Sequence, residues 1–174
     1  DRFMFNIRIS YPTMDEEVEI VRRTTSGQRG TPEAVLTSAD IAQVQALVRA
    51  MPVADYVIKH ALRLVRATRI SEPLDAGERP KLVKDYVGWG AGPRASEYLI
   101  LAAKARAILA GSTHVTPEHV KSIAKPVLRH RLLTNFNAEA DQVTTDAIIE
   151  GLLKDIPVEG VSAGEKRQMD AVMR

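Results

Sequence analysis

Phe3, Phe5, Ile7 and Ile9 fall at every second position, with Met4, Asn6, Arg8 and Ser10 between them. A period of two is the signature of a half-buried β-strand. A strand by itself leaves its N–H and C=O groups without partners, so it must belong to a sheet. No second convincing strand follows; every later periodic stretch is helical. The sequence therefore predicts a mostly helical chain opening on one strand of a sheet whose remainder lies elsewhere. The opening at Asp1, straight into that run, reads as the start of a piece of a longer protein.

The helix starts are marked by their caps. Thr13 with Glu16 makes a capping-box pattern, with Asp15 and Glu17 in the same turn and Arg22 and Arg23 at the far end, as the helix dipole favours. Thr24 to Pro32 reads as a linker. Thr37 with Asp40 caps a second helix to about Met51, and Pro52 opens a third that ends near Ile70. Ser71 to Pro80 is polar and turn-rich, hence a loop. Gly92-Pro93 starts an alanine-rich helix reaching Gly111. Thr116-Pro117 starts another, ended or kinked by Pro126. Thr144 or Thr145 caps the last, with Ile148, Ile149, Leu152, Leu153 and Ile156 on its apolar side.

With 45% hydrophobic residues a core can form, and without cysteine neither disulfides nor cysteine metal sites can arise. No apolar run has the length of a membrane span. A formal charge of +2 is too small to argue for nucleic acid. His60, His114, His119 and His130 show no metal-ligand spacing, so no metal site is expected. No GxSxG and no GxxxxGK[ST] occurs; without the latter loop the chain cannot cradle the phosphates of ATP by itself.

Three places could carry chemistry. In Gly90-Ala91-Gly92-Pro93-Arg94-Ala95 the arginine falls in the first turn of a helix, where a cation opposes the dipole and open N–H groups favour an anion. Arg94 makes sense there if phosphate arrives; its local pattern also fits an ordinary arginine whose long stem reaches water. Lys59, Arg63 and Arg66 form a basic stripe opposite Val57, Ala61, Leu64 and Val65, read as a solvent-facing ridge. Arg129-His130-Arg131 is most simply a helix-end feature.

Taken in order, several segments resemble the MoxR family of AAA+ ATPases. They are Asp1-Arg2-Phe3 with its strand and Tyr11-Pro12 before an acidic helix, Gly88-Trp89-Gly90-Ala91-Gly92-Pro93-Arg94-Ala95, Lys104-Ala105-Arg106-Ala107, Val115-Thr116-Pro117-Glu118-His119-Val120, and Val127-Leu128-Arg129-His130-Arg131. The match runs from residue 1 to about 133. Where the family has Ser before Pro-Arg, Gly92 stands here, a weaker but workable cap. Where it has an acidic residue, His119 stands, which is expected to weaken that cap.

The resemblance implies a mostly α fold: the helical bundle of an AAA+ lid, preceded by one strand and one helix left from the α/β nucleotide-binding core. Residues 1–35 would be the core remnant, 36–157 the lid and 158–174 a tail. It implies that Arg2 is an arginine finger acting in trans on the ATP of the next subunit. Arg94 would be the sensor 2 arginine, with Gly92, Pro93 and Arg94 at the nucleotide. Such a full-length protein would be a cytoplasmic ATP hydrolase using ATP and Mg. It would form a ring, usually hexameric, and remodel or mature protein complexes in a chaperone-like way. Its partners would be von Willebrand A domain proteins and client enzyme complexes, not nucleic acid. The segment alone would be inactive and hold no cofactor tightly. Two other readings are a helical protein- or nucleic-acid-binding module and the lid of another AAA+ branch, such as a magnesium-chelatase subunit.

Overall fold

A computed structural model describes residues 1–27, 31–74 and 79–158. Among them the chain forms α1 (Met14–Thr25), α2 (Ser38–Ala50), α3 (Asp55–Ala67), α4 (Lys81–Tyr86), β1 (Val87–Trp89), α5 (Pro93–Leu109), α6 (Pro117–Leu128), β2 (Leu133–Thr134), α7 (Phe136–Ala140) and α8 (Thr145–Asp155). Two compact units result, one of Ile7–Ala46 and the other of Asp1–Asn6 with everything from Leu47 onward. The boundary expected at residue 35 falls inside the first of these. The expected tail lies, apart from Val158, outside the described residues.

In the smaller unit, Thr13 and Glu16 close the capping box of α1. The Thr13 N–H donates to Glu16 Oε2 at 2.7 Å, and the Glu16 N–H donates back to Thr13 Oγ1 at 3.4 Å. Thr37 and Asp40 repeat the arrangement ahead of α2, with distances of 2.8 and 3.2 Å. Each carboxyl is held below its usual range by hydrogen bonds, led for Glu16 by the Thr13 backbone and for Asp40 by the Thr37 side chain.

The expected strand is not there. No residue before α1 is in a ladder, and Phe3, Ile7 and Ile9 are 69%, 76% and 90% exposed. A period of two describes which side chains could share a face, but a strand exists only when a neighbour takes up its backbone groups.

The larger unit is a helical bundle around one core. α3 contributes Val57, His60, Ala61, Leu64 and Val65, and α5 contributes Leu99 and the small residues Ala95, Ala102, Ala103 and Ala107. α6 adds Val120, Ala124, Val127 and Leu128, and α8 adds Ile148, Ile149 and Leu152. The alanine face of α5 lets two neighbours approach closely, and α5 packs most extensively on α6 and next on α3. Pro126 does not end α6, which continues to Leu128.

α3 is shorter than expected at both ends. Val53 is drawn into a bridge with Val115, and the Val115 N–H donates to the Pro52 carbonyl at 3.1 Å. At the other end Arg79 donates to the carbonyls of Ala67, Arg69, Ile70 and Glu72 at 2.6–3.3 Å, which ends the helix in a turn. The structure also has four elements the sequence did not announce: α4, β1, β2 and α7. They are two to six residues long, too short to show a period, and they exist through each other. β1 pairs antiparallel with β2 (Val87 opposite Thr134, Trp89 opposite Leu133), and Asn135 caps α7 through the Ala138 N–H at 3.1 Å.

Candidate functional site

The N-terminus of α5 is built from its neighbours. Gly90 is needed by packing: a Cβ there would stand 2.3 Å from the Thr68 carbonyl oxygen. That close approach lets the Ala91 N–H donate to the buried Thr68 hydroxyl at 2.9 Å, while Arg69 Nε donates to the Ala91 carbonyl at 2.9 Å. Arg69 is itself paired with Glu72 at 3.2 Å. The strand β1 and the end of α3 therefore fix where α5 starts. Gly92 is the N-cap and Pro93 the first helical residue; no side chain caps the helix and no acidic residue lies in its first turn. A Cβ on Gly92 would meet nothing within 4 Å, so packing does not require glycine there, and the approach is open. Arg94 follows in the first turn and is exposed. Beside this helix start lies a recess of about 300 Å³ lined by Arg69, Glu72, Trp89 and Gly92 among others, with Trp89 71% exposed.

Arg2 belongs to the same unit. Its guanidinium lies 5.4 Å from the centre of the Phe3 ring, and its carbonyl accepts a hydrogen bond from the Tyr98 hydroxyl at 3.0 Å. Tyr98 is four residues after Arg94 on α5, one helical turn away. The two arginines that the family resemblance singled out are thus carried by one helix and the segment tied to it.

What ties that segment is the Arg129-His130-Arg131 cluster, which is much more than a helix end. The Arg131 side chain is 1% exposed. Its Nε donates to the Asp1 carboxylate at 2.8 Å, and its Nη atoms donate to the carbonyls of Asp1 (2.9 Å), Phe3, Met4 (3.1 Å) and Val127. Its guanidinium also sits 5.0 Å from the centre of the Tyr98 ring. Burial lowers the pKa of Arg131; Tyr98 opposes that and the charge of Arg94 adds to it. His130 Nε2 donates to the Phe3 carbonyl at 3.0 Å, and burial lowers the pKa of this ring. Arg129 pairs through two hydrogen bonds with Asp146 at 3.0 and 3.1 Å and reaches the Asn6 carbonyl at 3.2 Å. The carbonyls of residues 1, 2, 3, 4 and 6 are therefore all met by side chains, not by a neighbouring strand.

The basic stripe on α3 is not a solvent-facing ridge. Lys59 is exposed, but Arg63 and Arg66 are half-buried; Arg63 donates to the Pro157 carbonyl at 3.1 Å and Arg66 lies 3.9 Å from Glu72. The apolar side, Val57, Ala61, Leu64 and Val65, is buried as its spacing predicts. His119 also departs from expectation. It strengthens its cap: Nδ1 accepts from the Thr116 N–H at 3.0 Å, and the Thr116 side chain closes the box. A neutral imidazole nitrogen does here what a carboxylate oxygen does in α1.

Residues 79–152 match the family described as the AAA lid domain. Over 165 residues the chain is 33% identical to the Chaperone MoxR1 of Mycobacterium tuberculosis, covering 94% of this chain and 42% of that protein. It is 26% identical to the uncharacterized protein YeaC of Bacillus subtilis, over 91% of this chain and 46% of that one. The chain thus spans somewhat under half the length of the curated relatives it matches. A crystal structure of a candidate ATPase from Cytophaga hutchinsonii superposes with a TM-score of 0.81 at 28% identity, covering 91% of this chain and 47% of that one. The helical bundle and these matches along nearly the whole sequence agree. The chain belongs to the MoxR family of AAA+ ATPases, and its residues 79–152 form the AAA lid domain.

Proposed function

We propose that this chain is the C-terminal part of a ring-forming ATPase in which ATP binding and hydrolysis drive chaperone-like remodelling or maturation of protein complexes. In this reading Arg94 is the sensor 2 residue and Arg2 the arginine finger. The observation that carries it is Arg94: an exposed cation in the first turn of a helix with no acid in that turn and, among the described residues, no hydrogen-bond or ion-pair partner of its own. Such a position is electrostatically unfavourable until an anion arrives. A guanidinium suits phosphate oxygens because its planar fork offers two parallel N–H bonds and stays charged. Gly92 and Pro93 leave the approach to that end of the helix open.

ATP would be held mainly by a phosphate loop that this chain does not contain, with Arg94 touching phosphate from the lid side. Among the described residues no three His, Asp or Glu side chains lie together, and magnesium would be held by the ATP phosphates and the rest of the nucleotide-binding core. Arg2 would reach the nucleotide of the next subunit, where a fixed guanidinium offsets charge growing on the transferred phosphoryl group. The uncovered Ile7, Ile9, Tyr11 and Ile20 offer an apolar surface that the rest of the α/β core would cover. The active form is a ring, a hexamer, in the cytoplasm, with von Willebrand A domain proteins and client enzyme complexes as partners. No helix among the described residues is long and apolar enough to cross a membrane.

The test is made in the full-length ATPase. Arg94→Ala should lower turnover by on the order of 10-fold or more while leaving thermal stability nearly unchanged. Rings of Arg2→Ala subunits should keep a small residual turnover, roughly 10- to 10³-fold below that of native rings, rings with a broken phosphate loop should have none, and mixed rings should regain activity. Loss of fold together with activity in Arg94→Ala would make it a structural residue. Mixed rings that form and stay inactive would remove the trans role of Arg2.

A further inference from the structure

We propose that Arg131 is the positioning residue for Arg2, and that Arg131 and Tyr98 make the lid and the Arg2 segment move as one. This rests on the reading of Arg2 as the finger. The geometry is specific to that task. One buried guanidinium spends its donors on the carbonyls of Asp1, Phe3 and Met4 and on the Asp1 carboxylate, so it grips the chain on both sides of Arg2 without touching the Arg2 side chain. Tyr98 completes the grip, because its hydroxyl holds the Arg2 carbonyl at 3.0 Å and its ring lies against the Arg131 guanidinium at 5.0 Å. The Arg2 backbone is thereby fixed while its guanidinium is left exposed. Lysine could not replace Arg131: a single ammonium offers three donors from one point and cannot span acceptors on residues 1, 3 and 4.

The same contacts join two functions. Tyr98 is one turn from Arg94, and the charge of Arg94 is felt at Arg131. A shift of α5 that follows phosphate at Arg94 is therefore transmitted through Tyr98 and Arg131 to the backbone of Arg2. The lid then does not only sense its own subunit's nucleotide; it also sets the placement of the finger offered to the neighbour. A contiguous path only two side chains long, Tyr98 and Arg131, is available to carry this coupling.

The experiment is a double-mutant cycle on turnover in the full-length ATPase, with KM for ATP measured alongside. Arg131→Met should lower kcat by about 10- to 100-fold with KM changed little, since a displaced catalytic group costs rate and not binding. Arg131→Lys should recover less than half of that loss. In the Arg2→Ala background Arg131→Met should cost less than about twofold more, because a group that acts through Arg2 has nothing left to position. Tyr98→Phe keeps the ring and removes one hydroxyl; it should show the same dependence on Arg2 at a smaller size, and it decides the matter if Arg131→Met does not assemble. Equal losses in both backgrounds, for whichever variant folds, would reduce the cluster to a structural brace and overturn the proposal. If Arg2→Ala alone leaves kcat unchanged, the finger reading fails instead, and that outcome is separate from the first.

Discussion

His60 should make the bundle unstable toward acid in a way that one substitution removes. The side chain is fully buried on α3, and neither ring nitrogen has a well-formed hydrogen bond, although the Pro157 carbonyl is close enough to favour the charged form slightly. Burial pushes its pKa from 6.5 to about 4; the charges of Arg63 and Lys121 add to this, and Glu118 works against it. The folded protein therefore holds His60 neutral where the unfolded chain would take up a proton. The pKa is depressed on folding, so the stability linked to it is complete above pH 6.5, is lost as pH falls from there, and levels off below about 4. At about 1.4 kcal/mol per pH unit the loss amounts to roughly 3 kcal/mol, a large part of a small domain's stability. Urea unfolding at pH 7.0, 5.5 and 4.5 would be compared for the native chain and His60→Leu, on the pH scale read as about neutral to about acid. Replacing an unpartnered buried ring by an apolar side chain should cost about 1.5 kcal/mol or less at neutral pH. Carboxylates and the other histidines give both proteins a common slope, so the difference between them is the quantity that counts. If the native chain loses no more stability than His60→Leu over that range, the buried neutral histidine has been misread.

Two further outcomes are expected. His119→Ala should remove the box that caps α6 and cost about 1 kcal/mol in urea unfolding at neutral pH, whereas His119→Glu should keep the cap and hold it to lower pH, because protonated Nδ1 can no longer accept from the Thr116 N–H. The pKa of His119 is lowered, first by burial, so its cap should fail only as pH falls below 6.5; a cap lost on the alkaline side would contradict this. Gly90→Ala places a Cβ 2.3 Å from the Thr68 oxygen, a backbone atom that cannot swing away, and should cost about 1–3 kcal/mol or more in thermal unfolding; an unchanged melting temperature would show that β1 and the end of α3 are not pressed together.

Helix starts were legible because capping is local chemistry. Thr13 with Glu16, Thr37 with Asp40, Pro93 after Gly92, Pro117 after Thr116, and Thr144 each stand at the start of a helix in the structure. The apolar side of α3 was legible for the same reason, since residues three and four apart must share a face. Asn135 could have announced α7 by the same rule, as its side chain caps that helix. α4, β1 and β2 left no such mark, being too short for a period to repeat legibly.

The segment from Asp1 to Asn6 shows the opposite limit. Its alternation reads as one strand of a sheet, and the arginine cluster near residue 130 as a helix end. Both local readings missed that each answers the other. The backbone acceptors of residues 1–6 needed donors, and Arg129, His130, Arg131 and Tyr98 are buried or half-buried donors in need of acceptors. They lie some 96 to 130 positions apart, so no window along the chain could pair them. Counting unmet groups on both sides could have done so: an almost wholly buried guanidinium demands several acceptors, and an extended segment with no partner strand is where several lie in a row. The same count separates Arg131 from Arg94. Arg131 has every donor engaged, whereas Arg94 stands exposed at the start of α5, where the proposed contact with phosphate would fall.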